Sequence, residues 1–574
     1  MTASPVSYAR HDDVGVITVA NPPVNALSHA VRVGLVDAIA QAAADTEARA
    51  VVLVGAGRTF PAGADITEFA RPLGPPDLNE INAALEALPK PVVAALHGTA
   101  LGGGLELAMS CHYRIAVPSA RVGLPEVTLG ILPGAGGTQR LPRLIGLEPA
   151  LEIITGGRPV TADRALALGL VDHLVEAEAD VLEAAVAFAR SVAGRERPVS
   201  SARRVPPDPD AIARTRDAVI AAQPHAFAPA RCVDAVAAAA ALPFAEGLVR
   251  ERTLFEDCRQ SPQSRALIHV FFAERQAAKV EGLPKDVQPR RIGSVAVVGA
   301  GPMGCAAAIA CAAAGLPVTI IENDAGVLNR ARARITDWFD ARLPPEAAEA
   351  TGRLVALEQS LSAAGQADVV IEAVGEDAAT KRAVFADLPK HCRPSAILAS
   401  TTALLDINAL AEASGVAERV VGLNIIGPDP GVRLLEIRRG ARTADDVLAT
   451  ALAFAKRVGR VPVVTRGPVA HAMAEAAAAE ARRLGANAGA VRAALEAWGF
   501  TRLPFAVPDA GGEGPDAEVI QRRILSVLAD EGRRLLEAGT VQRASDIDIA
   551  WTVGLGFPRE KGGPMWWAGQ EEAR

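Results

Sequence analysis

Val297–Gly304 reads VVGAGPMG. Its glycines at 299, 301 and 304 fit G-x-G-x-x-G, the pattern of a loop whose backbone cradles a dinucleotide pyrophosphate. Alone the pattern is weak, and its neighbours decide it. SVAVV (294–298) before it reads as a strand, and CAAAIACAAAG after it reads as a helix closing on Gly315. The next strand, PVTIIE (317–322), ends in Glu322, eighteen residues past Gly304. An acidic side chain there suits hydrogen bonds to adenosine ribose hydroxyls and favours NAD over NADP.

Strand, glycine turn, helix and acidic strand end together predict a Rossmann-type unit with Gly299, Gly301, Gly304 and Glu322 at the cofactor. Further strands are expected at ADVVIEAV (367–374), AILAST (396–401), RVVGLNII (419–426) and RVPVVT (460–465), with helices beyond 467. Upstream, EGLPKDVQPRR (281–291) reads as a linker. Residues 251–279 read as two helices broken at Ser261-Pro262, with serine as N-cap and proline in the first turn. Nearer the N-terminus, VGVITVA (14–20) and AVVLV (50–54) are strands flanking a helix over 29–44. The whole is α/β, with domains expected at 1–195, 196–290, 291–466 and 467–574.

Composition narrows the partners. A net charge of −7 and a pI near 5.8 argue against nucleic acid or an anionic membrane surface. MTASPVSYARHDDVG has no signal-peptide pattern, and no apolar stretch is long enough to span a bilayer. Cysteines 111, 232, 258, 305, 311 and 392 form neither a C-x-x-C pair nor a metal spacing with the histidines. No metal is expected, and free thiols in a reducing cytoplasm are.

The strongest chemical signals lie in TFPAGADITEF (59–69), HGTALGGGLELAMSC (97–111) and GLPEVTLGILPGAGGTQRLPRLIG (123–146). Gly63-Ala64-Asp65 and Gly102-Gly103-Gly104 each open a helical segment, where backbone N–H groups lack intrahelical partners. Two such amides from separate helix starts make an oxyanion hole. Glu106 just inside the second helix and Glu126 after a proline supply two carboxylates for general acid/base addition of water.

These three segments resemble the enoyl-CoA hydratase/isomerase (crotonase) superfamily over about residues 8–195. The resemblance implies a crotonase fold and a coenzyme A thioester substrate. It implies that the Ala64 and Gly103 amides hold the thioester oxygen while Glu106 and Glu126 hold the water. Both glutamates favour hydration, with isomerisation as a side activity. Residues 292–466 resemble the 3-hydroxyacyl-CoA dehydrogenase NAD-binding domain, with Glu372, Glu376 and Lys381 in family positions near the nicotinamide. SDIDIAWTVGLGFPREKGGPMWWA (545–568) is similar to that family's helical C-terminal domain. Hydratase followed by dehydrogenase is the layout of the multifunctional enzymes of fatty-acid β-oxidation.

The second resemblance has departures. Where the family carries a catalytic histidine in G-L-H-F-F-N-P, residues 422–428 read GLNIIGP, which puts Asn424 at the histidine position while Glu436 keeps the orienting role. Asparagine cannot accept the proton released on oxidising a hydroxyl. The S-N-T-S run reads STTA, so Ala403 replaces a hydroxyl, and His471 stands where asparagine belongs in G-F-I-x-N-R. The region after it is compressed and is expected to lack part of the surface that closes over substrate. The resulting expectation is a monomeric cytoplasmic enoyl-CoA hydratase with an impaired dehydrogenase half. Its alternatives are a complete bifunctional enzyme, with His471 and Asn424 exchanging roles, and an acyl-CoA-binding scaffold.

Overall fold

The computed structural model describes residues 4–70, 74–176, 180–425, 432–506 and 514–572. The chain divides into two compact units, Met1–Ile268 and His269–Arg574.

The first unit is built on a six-stranded sheet in the order Val6–His11, Val14–Val19, Ala50–Gly55, Val92–Leu96, Tyr113–Ala116, His173–Leu174. The first two strands form an antiparallel hairpin and every other pairing is parallel. AVVLVG and VVAAL are buried at every position, as central parallel strands covered on both faces must be. Helix Val181–Val192 covers one face, laying Ala185, Val186, Ala189 and Val192 on Val52, Val54 and Val93. The opening hairpin strand was not expected. VSYARH buries only its first valine, so it carries little apolar signal. Helices Pro209–Ala222, Ala228–Ala241 and Phe244–Arg259 also belong to this unit.

The second unit contains an eight-stranded sheet. Its order is Val355–Glu358, Val318–Ile321, Val295–Val298, Val369–Glu372, Ile397–Ser400, Val420–Ile425, Leu434–Arg438, Val461–Thr465. The first six are parallel and run 3-2-1-4-5-6 in chain order, the doubly wound dinucleotide-binding arrangement. Leu434–Arg438 runs antiparallel to Val420–Ile425. Two of these strands went unread in the sequence. VALE is a half-exposed edge strand of four residues, and LLEIR is a return strand with no turn signal quoted for it. Helices Val469–Arg483, Ala488–Trp498 and Ala517–Glu537 bury Met473, Val491, Leu495, Ile524 and Leu528 around Trp551, whose Nε1–H points at Met473 Sδ (3.1 Å). Among the described residues, no helix is long and apolar enough to cross a membrane.

Candidate active site

A small sheet brings the two glutamates of the first unit together. Thr99–Leu101 pairs in parallel with Arg121–Gly123, and Gly102 N–H donates to Gly123 O (2.9 Å). The chain then leaves both strands at the same level, one into helix Gly103–Met109 and the other into the turn Glu126–Leu129. Glu106 lies in the helix's first turn and Glu126 opens the other. Gly102 sits at φ +51°, and a Cβ there would meet Glu126 Oε1 at 2.8 Å, so the carboxyl occupies the space a side chain would need. The expected oxyanion donors are also neighbours: a Cβ on Gly103 would lie 3.3 Å from Ala64 N. Gly104 is packed against Pro61 O so closely that a Cβ would fall 1.8 Å from it.

Glu106 is 2 % exposed. Its Oε1 accepts from the Ala135 and Gly137 amides, each at 2.8 Å. Burial pushes this carboxyl up to about 7, against the opposing pull of those two amides and of Arg140. Glu126 has a buried Oε2 with no hydrogen-bond partner. Burial and the nearby Glu106 charge push it well above the usual carboxylate range. Two buried carboxyls, only one of them held by amide donors, beside two adjacent amides can hold a water, take its proton and return one.

A third carboxyl in this cluster was not anticipated. Glu251, in helix Phe244–Arg259, is 1 % exposed. Its Oε1 accepts from Gly136 N (2.7 Å), and its Oε2 accepts from Thr138 N (3.0 Å) and Thr138 Oγ1 (2.5 Å). Burial, then the Glu106 charge, pushes it up to about 8. The stretch ERTLFED around it reads as an ordinary charged helix face, so its only signal was its long-range partner loop.

In the second unit the glycine turn lies at the end of strand Val295–Val298, at the switch point of the sheet. Gly299 has φ +107°; a Cβ on Gly304 would fall 1.9 Å from Gly299 O, and one on Gly301 would meet nothing within 4 Å. The helix Pro302–Ala313 therefore packs hard on the turn, while its outer side stays open for close approach of a ligand. Glu322 Oε2 accepts from Ala300 N (3.3 Å), which sets its carboxylate at the mouth of this turn. These residues fit a dinucleotide. Lys381 and Glu372 are fully buried and paired at 2.8 Å; Ser400 Oγ donates to Glu372 (2.6 Å), and Lys381 Nζ also reaches Val374 O (3.0 Å). Glu376 lies 3.4 Å from Lys381 Nζ and accepts from Thr402 Oγ1.

Asn424 is buried, and its Nδ2 donates to Glu436 Oε2 (3.1 Å). Glu436 Oε1 accepts from Val469 N (2.9 Å), which ties it to the helix carrying His471. His471 is half-buried and has no hydrogen-bond partner among the described residues. Ala403 follows the buried Thr402 on the loop after Ile397–Ser400. Ile426, Gly427 and Pro428 lie outside the described residues.

Residues 9–203 match the enoyl-CoA hydratase/isomerase family, and residues 294–467 match the 3-hydroxyacyl-CoA dehydrogenase NAD-binding domain. The peroxisomal bifunctional enzyme of Danio rerio is 36 % identical across 97 % of this chain and 91 % of its own length. The chain belongs to this family of fused hydratase–dehydrogenase enzymes. The peroxisomal fatty acid beta-oxidation multifunctional protein MFP2 of Arabidopsis thaliana is 31 % identical, and the glyoxysomal multifunctional protein MFP-a of Brassica napus is 30 % identical. Each covers 97 % of this chain and 91 % of its own length. The crotonase, Rossmann-type and helical C-terminal layout agrees with these matches, and the chain is an enzyme of enoyl-CoA hydratase type.

Membership corrects one expectation and weakens another. The cytoplasmic location is overturned, because these relatives are named as peroxisomal or glyoxysomal proteins. Scattered free thiols fit any reducing compartment, so they could not have separated the two. The impaired dehydrogenase is not confirmed. Relatives named as bifunctional, and the match over 294–467, back the complete bifunctional alternative better.

Proposed function

We propose that the first unit hydrates trans-2-enoyl-CoA thioesters to 3-hydroxyacyl-CoA. The observation that carries this reading is the pair of carboxyls, Glu106 and Glu126, beside the neighbouring Ala64 and Gly103 amides. The amides stabilise the charge that develops on the thioester oxygen as water attacks C3. Glu106, whose ionised form the Ala135 and Gly137 amides favour, takes the proton from water. Glu126, whose buried Oε2 has no donor to favour its ionised form, gives one to C2. A single carboxyl shuttling a proton between C2 and C4 would add a slow isomerase activity. Loss of crotonyl-CoA absorbance tests the proposal. It should be fast in the wild type and collapse in Glu106→Gln, and an active Glu106→Gln enzyme would refute the assignment.

The second unit is read with its family as an NAD-linked 3-hydroxyacyl-CoA dehydrogenase, the reading that the bifunctional relatives support over an impaired one. Gly299, Gly301 and Gly304 would hold the pyrophosphate and Glu322 the ribose, and NAD supplies the hydride acceptor when bound. The chain must then place the proton released from the hydroxyl. Asn424 cannot take it, since a carboxamide is not basic near neutral pH and its Nδ2 is engaged with Glu436. His471 is the imidazole on the helix that Glu436 anchors, and it is the base this reading requires. NADH formation from 3-hydroxybutyryl-CoA decides the matter: turnover that His471→Ala abolishes supports it, and no NADH from the wild type restores the impaired reading.

A further inference from the structure

The loop Gly134–Thr138 carries Glu106's hydrogen-bond partners, and every side chain that holds it can be named. Its carbonyls are held by two asparagines of helix Leu78–Glu86: Asn79 donates to Gly134 O (3.2 Å) and Asn82 to Ala135 O (2.9 Å). Its amides alternate between two glutamates. Ala135 and Gly137 donate to Glu106, Gly136 and Thr138 to Glu251. Helix Phe244–Arg259 is shaped for this loop at four-residue spacing, one turn apart on one face. Gly247 leaves room for Gln139, since a Cβ there would strike Gln139 Oε1 at 2.1 Å. Phe255 fills the space beside Gly134, where a Cβ would meet its ring at 2.6 Å. Glu251 lies between them. All of this helix is outside residues 9–203, where the hydratase family match ends.

We infer that Glu251 is a positioning residue of the hydration site, clamping the Ala135–Thr138 backbone from the side opposite Glu106 and thereby fixing where the Glu106 carboxyl points. This rests on the hydratase reading of Glu106. Glu251 has both oxygens committed to the loop, so it acts through Glu106 and not on substrate. Four successive amides shared between two acceptors leave little freedom: moving Gly136 toward solvent would break a Glu251 bond and drag the neighbouring Glu106 donors with it. Thr138 Oγ1 completes the arrangement by donating to Glu251 while accepting from Gln139 Nε2 (2.9 Å). Every hydrogen bond to Glu251 comes from a donor, which a carboxamide NH2 in its place could not accept.

The charged and titratable groups around it are few. Glu106 and Glu126 interact with it across the loop, Arg140 follows the loop in helix Gly137–Ile145, Cys232 comes from helix Ala228–Ala241, and Cys258 lies about two turns along its own helix. Burial raises both thiols far above neutral pH, to about 12 for Cys258, so the glutamates alone change charge there.

The test uses the full chain with Glu251→Gln and Glu251→Asp, kcat and KM for crotonyl-CoA hydration, and amide exchange of the 133–139 segment by mass spectrometry. Glu251→Gln keeps the size but turns an NH2 toward a donor amide. Its kcat should fall about 100-fold, as expected for a misplaced catalytic group. Its KM should stay within about threefold of wild type. The loop amides should exchange faster. Glu251→Asp should restore part of kcat. Wild-type kcat and exchange in Glu251→Gln overturn the inference, as does a lower kcat with exchange unchanged. If Glu251→Gln does not fold, wild-type kcat and exchange in Glu251→Asp overturn it. If the wild type does not hydrate crotonyl-CoA, the hydratase reading fails, and loop exchange alone still judges the clamp.

Discussion

Gly104→Ala should disable hydration far more than it destabilises the protein. A Cβ at position 104 would stand 1.8 Å from Pro61 O, a backbone atom that cannot swing aside. Real Cβ contacts essentially never fall under 3.0 Å, so helix Gly103–Met109 and the Pro61–Ala64 segment must part by at least about 1.2 Å. Neither side gives easily. The segment is tied by Phe60 N to His97 O (2.9 Å), Ala62 N to Val24 O (3.1 Å) and Leu27 N to Gly63 O (2.9 Å), and the helix start by Gly102 N to Gly123 O (2.9 Å). The separation therefore opens between Ala64 N and Gly103 N, the two proposed oxyanion donors. Losing one such donor costs about 10²–10³ in kcat, about 3–4 kcal/mol. Overpacking costs about 1–3 kcal/mol of stability, which a thermal melt would register. Gly103→Ala is the internal comparison. Its Cβ meets the flexible Leu78 Cδ1 at 2.9 Å and Ala64 N at 3.3 Å, a far milder clash than 1.8 Å, so it should retain at least about tenfold more activity than Gly104→Ala. Steady-state crotonyl-CoA hydration measures all three enzymes, with kcat falling and KM nearly constant. A folded Gly104→Ala enzyme within about threefold of wild-type kcat would refute the oxyanion geometry.

Glu126→Gln should cost about 10²–10⁴ in hydration rate while leaving the melting temperature nearly unchanged, and near-wild-type turnover would remove Glu126 from the reaction. In the wild type, kcat/KM should fall as pH drops through about 7, because the base Glu106 is then protonated. The sign follows from its raised proton affinity: the working form exists above that pH and is lost below it. A profile flat from pH 5 to 8, on the order of the range probed, would contradict this. In the second unit, Gly301→Ala should leave the melt unchanged, since its Cβ meets nothing, yet weaken NAD binding in a calorimetric titration. Gly304→Ala should destabilise the unit itself, because its Cβ would strike Gly299 O; equal NAD affinity in wild type and Gly301→Ala would argue against pyrophosphate at this turn.

Much of the fold was legible because its signals are local. VVGAGPMG needed a strand before it, a helix after it and an acid at the next strand end, and all three lie within thirty residues. Ser261 as N-cap was legible for the same reason, and its Oγ accepts from Ser264 N (3.0 Å). Strand Val355–Glu358 escaped because an edge strand exposes alternate side chains and shows no buried run. The candidate site divides along the same line. Gly102, Gly103 and Glu106 sit in one turn of chain, so their joint chemistry could be read from adjacency. Glu251 meets its loop across 115 residues, and nothing in LVRERTLFEDC distinguishes a clamp from a solvated face. Asn424 shows the opposite limit. Its identity alone announced a missing base, but only the structure shows that the orienting Glu436 still holds it and also binds the amide two residues before His471. A carboxylate kept buried by an asparagine, a threonine and a backbone amide still has an anchoring task, whether or not a base stands nearby. In the proposed dehydrogenase reading the second unit's chemistry therefore turns on His471, a side chain that sequence could place on a helix but could not orient.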